Sequence, residues 1–283
     1  NVSTASSHPL TARSITIGSD GTYFATSGTT TVFNTAASSY AFNNAGIYTP
    51  NGGTLQIGNG TTPDGGATHI KSNNYHHLTI NTGVSAPNGN VPWRPNSGTE
   101  VTIAGNLTVT KGRFYRNNSS NSLVVTGDVD IAANGQVGTS SASGSNSFGG
   151  IKLASGSKYL ATSGTTTITN RFTGESHLWK NDGGTFTHNN GTVKFNDNDH
   201  SAVKENTFYN VEVESNLGDY AVSFEAQGGG GNPFTILNNL TITRGDFELV
   251  NANDTCDIHG QTIINGSSNS GARFNNDKNQ TGT

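Results

Sequence analysis

Three candidate pairs of carboxylates, each with its members two residues apart, are the side chains in this sequence that we consider best suited to acid–base chemistry. The pairs are Asp128 with Asp130, Asp197 with Asp199, and Glu212 with Glu214. Cleavage of a glycosidic bond needs two carboxylates roughly 5 to 10 Å apart that face one cleft. Each pair would share one face of a strand, and inward apolar neighbours flank the first and third pairs, so both members of a pair are expected to point into solvent. We therefore predict a solvated polar surface at these positions and no catalytic site.

Candidate metal ligands occur at two places along the chain. Asp197, Asp199 and His200 offer oxygen and nitrogen ligands, but Ca²⁺ takes six to eight oxygens, and the run NDNDH lacks the glycine and distal glutamate of an EF-hand loop. His76 and His77 open a predicted strand, where alternation sends neighbouring rings to opposite faces. We predict neither a metal site nor a cofactor.

The remaining reactive groups do not form a known catalytic motif. Cys256 is the single cysteine and stands in the alternating run CDI, which predicts a small, buried, unreactive side chain. Gly228 to Gly231 form a run of four glycines without the following Lys-Ser/Thr of a phosphate loop, so we expect a plain loop there. No Gly-x-Ser-x-Gly or Cys-x-x-Cys motif is present. The sequence therefore predicts a protein that is not an enzyme.

The segment SAPNGNVPWRPNSG holds the candidate ligand-binding residues, Trp93 and Arg94. Its prolines and glycines predict an irregular loop. An exposed Trp beside an Arg on such a loop would stack on a sugar ring, which makes these two residues a candidate glycan contact. The alternative is that Trp93 anchors the loop.

The elements that would position these residues come from an internal repeat. YFATSGTTTVFN from Tyr23 returns as YLATSGTTTITN from Tyr159, and NLTVTKGRF from Asn106 returns as NLTITRGDF from Asn239, at nearly the same offset. Repeats of this kind are typical of chains built by stacking one unit on the next. We divide the sequence into a lead-in (1–14), a first copy (15–149) and a second copy (150–283).

A shorter period lies inside each copy. In the first copy, alternating apolar pairs begin at the almost evenly spaced positions Leu55, Leu78, Val101 and Leu123. Alternation predicts strands, and no stretch has a helical period. Short strands separated by Asn, Gly and Ser turns at this spacing predict a right-handed parallel β-helix, or β-solenoid, with coils of about 22–23 residues. Two tandem β-sandwich domains are the alternative.

Aromatic residues recur at equivalent places in the two copies, so we expect them to stack in the core. The pairs are Tyr23 with Tyr159, Phe42 with Trp179, Tyr75 with Phe208, and Phe114 with Phe247.

Composition and charge exclude several classes of protein. Gly, Thr, Asn and Ser make up half of the 283 residues, while 12% are charged and 31% hydrophobic. An ordinary globular enzyme has roughly 25% and 45 to 50% of these. The net charge of −4, with neither half of the chain basic, argues against nucleic-acid binding. No apolar run approaches the roughly 20 residues that cross a bilayer, so we predict no membrane insertion.

Several of the repeated segments resemble a known class of sequence. YLATSGTTTITN, GGTFTHNNGTVKFN, TFYNVEVES and NNLTITRGDF are similar to the Gly/Asn/Thr-rich β-helical repeat modules of bacteriophage virion structural and tail-fibre-like proteins. Similar runs occur in bacterial surface adhesins. The resemblance implies a structural role at a virion surface or outside the cell, and it supplies no active-site residue.

These observations predict a non-enzymatic structural or attachment module of a phage virion appendage, such as a tail-fibre or capsid-fibre segment. A secreted bacterial adhesin or matrix module is the alternative, and a polysaccharide-degrading enzyme is the third hypothesis. Because the ends of an open coil leave strand edges unpaired, we expect more polypeptide, neighbouring structural subunits or self-association, for example as a trimer. A glycan on a host surface is the expected ligand. The missing initiator Met suggests a piece of a larger polypeptide.

Overall fold

The computed structural model shows an all-β chain wound into a parallel β-solenoid. It describes residues 2–3, 7–33, 40–61, 68–197, 199–215, 221–225, 233–250, 255–266 and 271–275; the predicted glycine loop at 228–231 lies outside them. Every strand pairing within these ranges is parallel. The sandwich alternative is therefore wrong, because its sheets are antiparallel.

The strands form three long faces, and each coil visits the faces in the order A, B, C. Face A contains β2 (Leu10–Ala12), β5 (Thr29–Val32), β8 (Thr54–Ile57), β11 (His77–Asn81), the first halves of β14 (Leu107–Arg116) and β16 (Val129–Gly138), β18 (Ile151–Leu153), β21 (His177–Asn181), β24 (Ser201–Lys204), β27 (Ala221–Glu225), the second half of β29 (Leu240–Leu249) and β32 (Ala272–Asn275). Face B contains β3 (Ile15–Ile17), β6 (Tyr40–Asn44), β9 (His69–Lys71), β12 (Asn90–Arg94), the second halves of β14 and β16, β19 (Lys158–Leu160), β22 (Thr185–Thr187), β25 (Thr207–Phe208), β28 (Pro233–Ile236) and β30 (Thr255–Ile258). Face C contains β1 (Val2–Ser3), β4 (Thr22–Phe24), β7 (Ile47–Thr49), β10 (Asn74–Tyr75), β13 (Glu100–Ile103), β15 (Ser122–Val125), β17 (Asn146–Phe148), β20 (Thr165–Ile168), β23 (Thr192–Phe195), β26 (Asn210–Glu214), the first half of β29 and β31 (Thr262–Ile264).

The length of a coil can be read between ladder partners. Leu107 pairs with Val129, and Val129 pairs with Ile151, so these two coils have the predicted length. The next coil, from Ile151 to its partner Trp179, is longer. Longer coils keep the ladder in register because the additional residues lie in the turns between strands.

The inward side of the solenoid is a continuous apolar core. Leu55, Ile57, Leu78 and Ile80, which alternation placed inward, are at most 1% exposed. The expected aromatic core is confirmed, because all eight of the repeated aromatic side chains are buried. The ring of Trp179, for example, lies 4.7 to 5.7 Å, centroid to centroid, from the rings of three neighbours. Such ring contacts add to the hydrophobic free energy of burial, which is roughly 25 cal/mol per Å².

The two sequence copies are rotated by one face relative to each other. Tyr23 is in β4 on face C, whereas its counterpart Tyr159 is in β19 on face B. We count as one segment each stretch of strand on one face, so that β14 and β16, which each lie on two faces, count twice. From β4 to β19 the chain then advances 17 segments among the described residues. Six full coils would be 18 segments, so the second copy falls one face short. Asn106 and Asn239 obey the same rule, since they precede strands on faces A and C. Equivalent residues therefore lie on different faces of the solenoid.

Equivalent residues of the two copies make the same hydrogen bonds although they lie on different faces. The side-chain oxygen of Asn106 accepts a hydrogen bond from the Asp128 backbone N–H at 3.0 Å. Its counterpart Asn239 accepts one from the Gln261 N–H at 2.9 Å. Each asparagine thereby ties its turn to the turn one coil further on.

The ladders run across the boundary drawn between the two copies. β16 pairs with both β18 and β19, and β15 pairs with β17, so hydrogen bonds continue past residues 149 and 150. Within the predicted lead-in, β2 pairs with β5 and is already part of face A. The boundary between the two copies is thus a feature of the sequence. In the structure the ladders between residues 122 and 160 form one uninterrupted stack.

Candidate functional site

Trp93 does not lie on an exposed loop, and that expectation is wrong. It belongs to β12, has 2% of its surface exposed, and stacks on Phe114 with 5.9 Å between ring centroids. Arg94 lies beside it at the end of the strand, with its guanidinium 4.8 Å above the ring of Tyr40. Because the indole is inside the solenoid, it cannot stack on a sugar at the surface.

The first carboxylate pair is not the solvated surface that alternation predicts. Asp128 is 6% exposed, and its carboxylate accepts a hydrogen bond from the Thr173 backbone N–H at 3.1 Å. Asp130 is half-buried opposite Lys152 in the ladder, and desolvation raises its pKa. Asp128 is buried because it precedes its strand, at a corner that the chain near Thr173 covers. The pair is structural rather than open to a substrate.

The second pair is also divided between the interior and the surface. Asp197 is 2% exposed and accepts a hydrogen bond from the Ser201 hydroxyl, which contradicts its predicted exposure. Asp199 forms an ion pair with Arg171 outside. His200 accepts the Ala221 backbone N–H at 3.2 Å through Nδ1. The two carboxylates therefore bind different side chains, one inside the solenoid and one outside it.

The third pair is exposed in part, as expected, and is bound to a lysine. Glu212 and Glu214 both form ion pairs with Lys194, which is the ladder neighbour of Glu212. Both carboxylates are thereby held by one ammonium group on the outside of face C.

The two adjacent histidines do not point to opposite faces, and that prediction is wrong. Their rings meet edge to face, with centroids 4.4 Å apart, because His76 lies at the corner between β10 and β11 where strand alternation stops. His77 Nδ1 accepts the Asn106 backbone N–H at 2.9 Å. Burial, and then the neighbouring His76, lower the pKa of His77. Among the described residues, no group of three or more His, Cys, Asp or Glu side chains is arranged to hold a metal ion.

Cys256 is half-buried in β30 at the edge of the core. Burial, and then the neighbouring Asp257, raise the pKa of its thiol to about 12. The reactive thiolate is therefore scarce at neutral pH.

A concave surface lies on the outside of face A, and we call it the His177 cavity. It has a volume of about 330 Å³ and is lined by residues of β21, β24 and β27 and their neighbours. His177 Nε2 lies 3.0 Å from Glu225 Oε1, two coils further along the chain, and reaches it across the small side chain of Ala202. The Ser176 hydroxyl lies 3.4 Å from His177 Nδ1. A hydroxyl, an imidazole and a carboxylate thus line one shallow surface.

The His177 cavity is suited to hydrogen bonding with a hydroxylated ligand. Glu225 is the one carboxylate among its described lining residues, whereas glycoside cleavage normally uses two. Sequence reasoning missed this site because His177 and Glu225 are 48 residues apart. Only the ladder register brings them together.

A row of lysines, which we call the lysine ladder, borders this cavity. Lys152, Lys180 and Lys204 are successive partners in the ladder of face A, so like charges are stacked about one strand spacing apart. Glu175 bridges the first two, with Oε1 3.2 Å from Lys152 Nζ and 2.8 Å from Lys180 Nζ. Asp182 bridges Lys180 and Lys204. The two carboxylates reduce a repulsion that parallel stacking creates.

We expect Glu175→Gln to lower the free energy of unfolding by about 0.5 to 1 kcal/mol at low salt, because Lys152 and Lys180 lose their shared counter-charge. The effect should shrink in 1 M salt, where the Debye length is about 3 Å. Urea unfolding at both salt concentrations measures this. Glu100→Gln, at an exposed position on face C, is the matched control. Equal losses for the two variants would contradict the assigned role of Glu175.

Glu205 is a buried carboxylate that the sequence did not reveal. It is 5% exposed and accepts hydrogen bonds from Trp179 Nε1 at 3.3 Å, from Asn181 Nδ2 at 2.9 Å and from the Asn206 backbone N–H at 2.9 Å. Desolvation raises its pKa, although these hydrogen bonds oppose the shift. Its role is to satisfy polar groups inside the core.

The raised pKa of Glu205 predicts a pH-dependent contribution to stability. The folded state holds this proton more tightly, so the contribution is fully present below the unfolded pKa of about 4.3 and is lost as pH rises through the folded pKa. The stability of the parent relative to Glu205→Gln should therefore fall as pH rises from 4 toward neutrality. Urea unfolding of both proteins across this range measures the difference. A difference that is constant, or that grows with pH, would contradict the prediction.

Comparisons with known protein families, curated proteins and solved structures find no match to this chain. Within the described ranges, no helix is long and apolar enough to cross a membrane.

Proposed function

We propose that this chain is a non-enzymatic structural and attachment module of a phage virion appendage, such as a tail-fibre or capsid-fibre segment. The observation that carries the proposal is the stack of parallel strands around one apolar core, in which each coil is stabilised by its neighbours. Such a stack suits a stiff spacer. The resemblance of the repeats to virion and tail-fibre modules supports the choice of a phage particle.

The surface chemistry is consistent with a structural role and with weak attachment. Most of the charged groups described above are bound to one another, as in the lysine ladder. The His177 cavity offers hydroxyl, imidazole and carboxylate groups to a hydroxylated ligand such as a host-surface glycan. We place the protein at the virion surface or outside the cell, with neighbouring structural subunits as its partners.

Electron microscopy of the native source, labelled with an antibody raised against this chain, tests the proposal. Label on regular fibres attached to phage heads or tails is the expected result. Label on cell envelopes or extracellular matrix, with phage particles bare, would overturn the proposal and favour a bacterial adhesin.

A polysaccharide-degrading enzyme is a second candidate, favoured by the contact between His177 and Glu225. Incubation with candidate glycans, followed by an assay for new reducing ends, tests it. Activity that is present in the parent and lost in Glu225→Gln would establish the enzyme and contradict the non-enzymatic proposal. Activity that is equal in the parent and in Glu225→Gln would also contradict the non-enzymatic proposal, and it would show that Glu225 is not the catalytic carboxylate.

A further inference from the structure

The first and last described strands of the solenoid present strand edges with apolar residues. Among the described residues, β2 and β3 pair only with later strands, and β30 and β31 pair only with earlier ones. Leu10 in β2 is 39% exposed, and Ile264 in β31 is 50% exposed. Beneath β3 lies an open cavity of about 390 Å³, lined in part by Ile15 and Ile17. Apolar side chains at both edges are thus left uncovered by the strands of this part of the chain.

The interior of the chain contains the joint that would cover them. When the two sequence copies are aligned, β3 in the first copy corresponds to β18 in the second. In the same alignment β31 in the second copy corresponds to the first half of β16 in the first. In the structure β16 pairs directly with β18, with Val129 opposite Ile151 and Ile131 opposite Leu153. The interior joint therefore provides a template for pairing the β31 edge with the β3 edge.

The same correspondence sets the register between two copies of the chain. Ile17 stands where Leu153 stands in the interior joint, and Ile264 stands where Ile131 stands. A second copy would thus place its Ile17 against Ile264 of the first, and its Ile15 against Thr262. The exposed Ile264 would then occupy a position whose interior equivalent, Ile131, has no exposed surface.

A second face of the joint brings further apolar groups together. β2 corresponds to β17, and β30 corresponds to β15, and the structure pairs β15 with β17. This pairing would bring Leu10 of one copy onto Cys256 of the other, and Ala12 onto Ile258. Cys256 and Ile258 are only partly buried at the edge of the core, so the joint would complete their burial.

The third face shows which strand must move. Phe274 in β32 corresponds to Val137, which pairs with Tyr159 in the interior, so Phe274 would pair with Tyr23 of the second copy. In its own chain Tyr23 pairs with Val2 of β1. Because β1 contributes only two residues, it is the strand expected to give way.

We infer that copies of this chain associate head to tail, the β30–β31 edge of one stacking beneath the β2–β3 edge of the next. The inference rests on the proposed structural function and names its partner, a second copy of the chain. A head-to-tail contact of this kind does not close on itself and extends into a fibre. Counted over the strands that the structure describes, two repeats advance 34 segments, which is eleven coils and one further face. Each copy is therefore rotated by one face, and every third copy has the same orientation.

Disulfide trapping tests the register of the joint. Thr16 and Ile263 occupy the positions of Lys152 and Asp130, which are outward partners in the interior joint. Ladder partners lie about 4.8 Å apart, within the roughly 4.4 to 6.8 Å that a disulfide spans. In a Cys256→Ala background, Thr16→Cys with Ile263→Cys should give dimers, trimers and higher oligomers when oxidised with copper phenanthroline. The matched control, Thr108→Cys with Ile263→Cys, places one cysteine on the outside of face A far from the ends and should give no such series.

Sedimentation velocity of the full chain over a range of concentrations tests the strength of the joint. Ile264→Lys should weaken association at least tenfold, whereas Ile47→Lys, at a 62% exposed position on the side of face C, should leave it unchanged. Deletion of residues 1–6, which removes β1, should strengthen association. Urea unfolding of both lysine variants controls for folding.

A chain that remains monomeric at every concentration, equal effects of the two lysine variants, or an equal oligomer series in the Thr108 control would overturn the inference. The virion role is judged separately. An intact oligomer series from a chain that is absent from phage particles would refute that role and leave the joint in place.

Discussion

Replacing Phe208 with alanine is expected to lower the free energy of unfolding by about 3 to 5 kcal/mol. The side chain has no exposed surface, and its ring centroid lies 5.4 Å from that of Trp179, 5.7 Å from Phe234 and 5.9 Å from Phe195. Its removal leaves a cavity that touches three successive coils. The lost contacts cannot be replaced by collapse, because the ladder holds the coils about one strand spacing apart.

Phe24→Ala is the matched control for this prediction. Phe24 is 41% exposed on face C, so the same chemical change should cost less than about 1 kcal/mol. Equilibrium urea unfolding, followed by intrinsic fluorescence, measures both variants. In a solenoid, stability is approximately a sum over neighbouring coils, so Phe208→Ala should also make the transition less cooperative. Similar losses of unfolding free energy for the two variants would contradict the prediction that the stacked aromatic rings stabilise the second half of the chain.

The second large effect is expected at Gly138, which ends β16 with a backbone φ of +92°. A Cβ at this position would overlap the carbonyl oxygen of Leu160, its partner in the ladder. We expect Gly138→Ala to cost on the order of 3 to 5 kcal/mol, because the left-handed backbone strain of roughly 1 to 2 kcal/mol adds to the opening of the ladder. Urea unfolding measures the loss.

Two other glycines separate strain from steric overlap. Gly52 also has a positive φ, +75°, but a Cβ there would meet no atom within 4 Å, so Gly52→Ala should cost only the strain of roughly 1 to 2 kcal/mol. Gly18 has open space and no positive φ, so Gly18→Ala should be near neutral. A loss at Gly138 no greater than that at Gly52 would show that the ladder between β16 and β19 adjusts freely.

The positions of inward residues were predictable wherever a strand was regular. Leu78 and Ile80 alternate with polar residues within one strand and are fully buried. The aromatic pairs were predictable for a related reason, since the same apolar position recurs in both copies. Alternation is a local property of the backbone and can be recognised without knowing which strands are neighbours.

The predictions from sequence that proved wrong concern residues at corners and in irregular strands. In β12, three successive residues, Val91, Pro92 and Trp93, are all buried, so the alternation that would identify a strand is absent. Asp128 and His76 lie at turns, where the direction of a side chain depends on what the adjoining coil places over it. No local pattern contains that information.

The candidate site was unpredictable for a different reason. His177 and Glu225 contact each other because each coil between them has a particular length, which sets the register of β21, β24 and β27. Coil length varies even between neighbouring coils, as the partners of Ile151 show: Val129 before it is nearer along the chain than Trp179 after it. The distance along the sequence therefore does not predict which outward side chains meet.

The sequence by itself determined that this chain is a repeated all-β stack with an aromatic core, because strand alternation and internal repetition are both properties of local sequence. The tertiary structure decided that the repeat advances 17 of the described strand segments and so turns each copy by one face. It also decided which outward charges meet and which edges are left for another copy. These features depend on the accumulated lengths of the turns, which set the rotation of every strand about the axis of the solenoid.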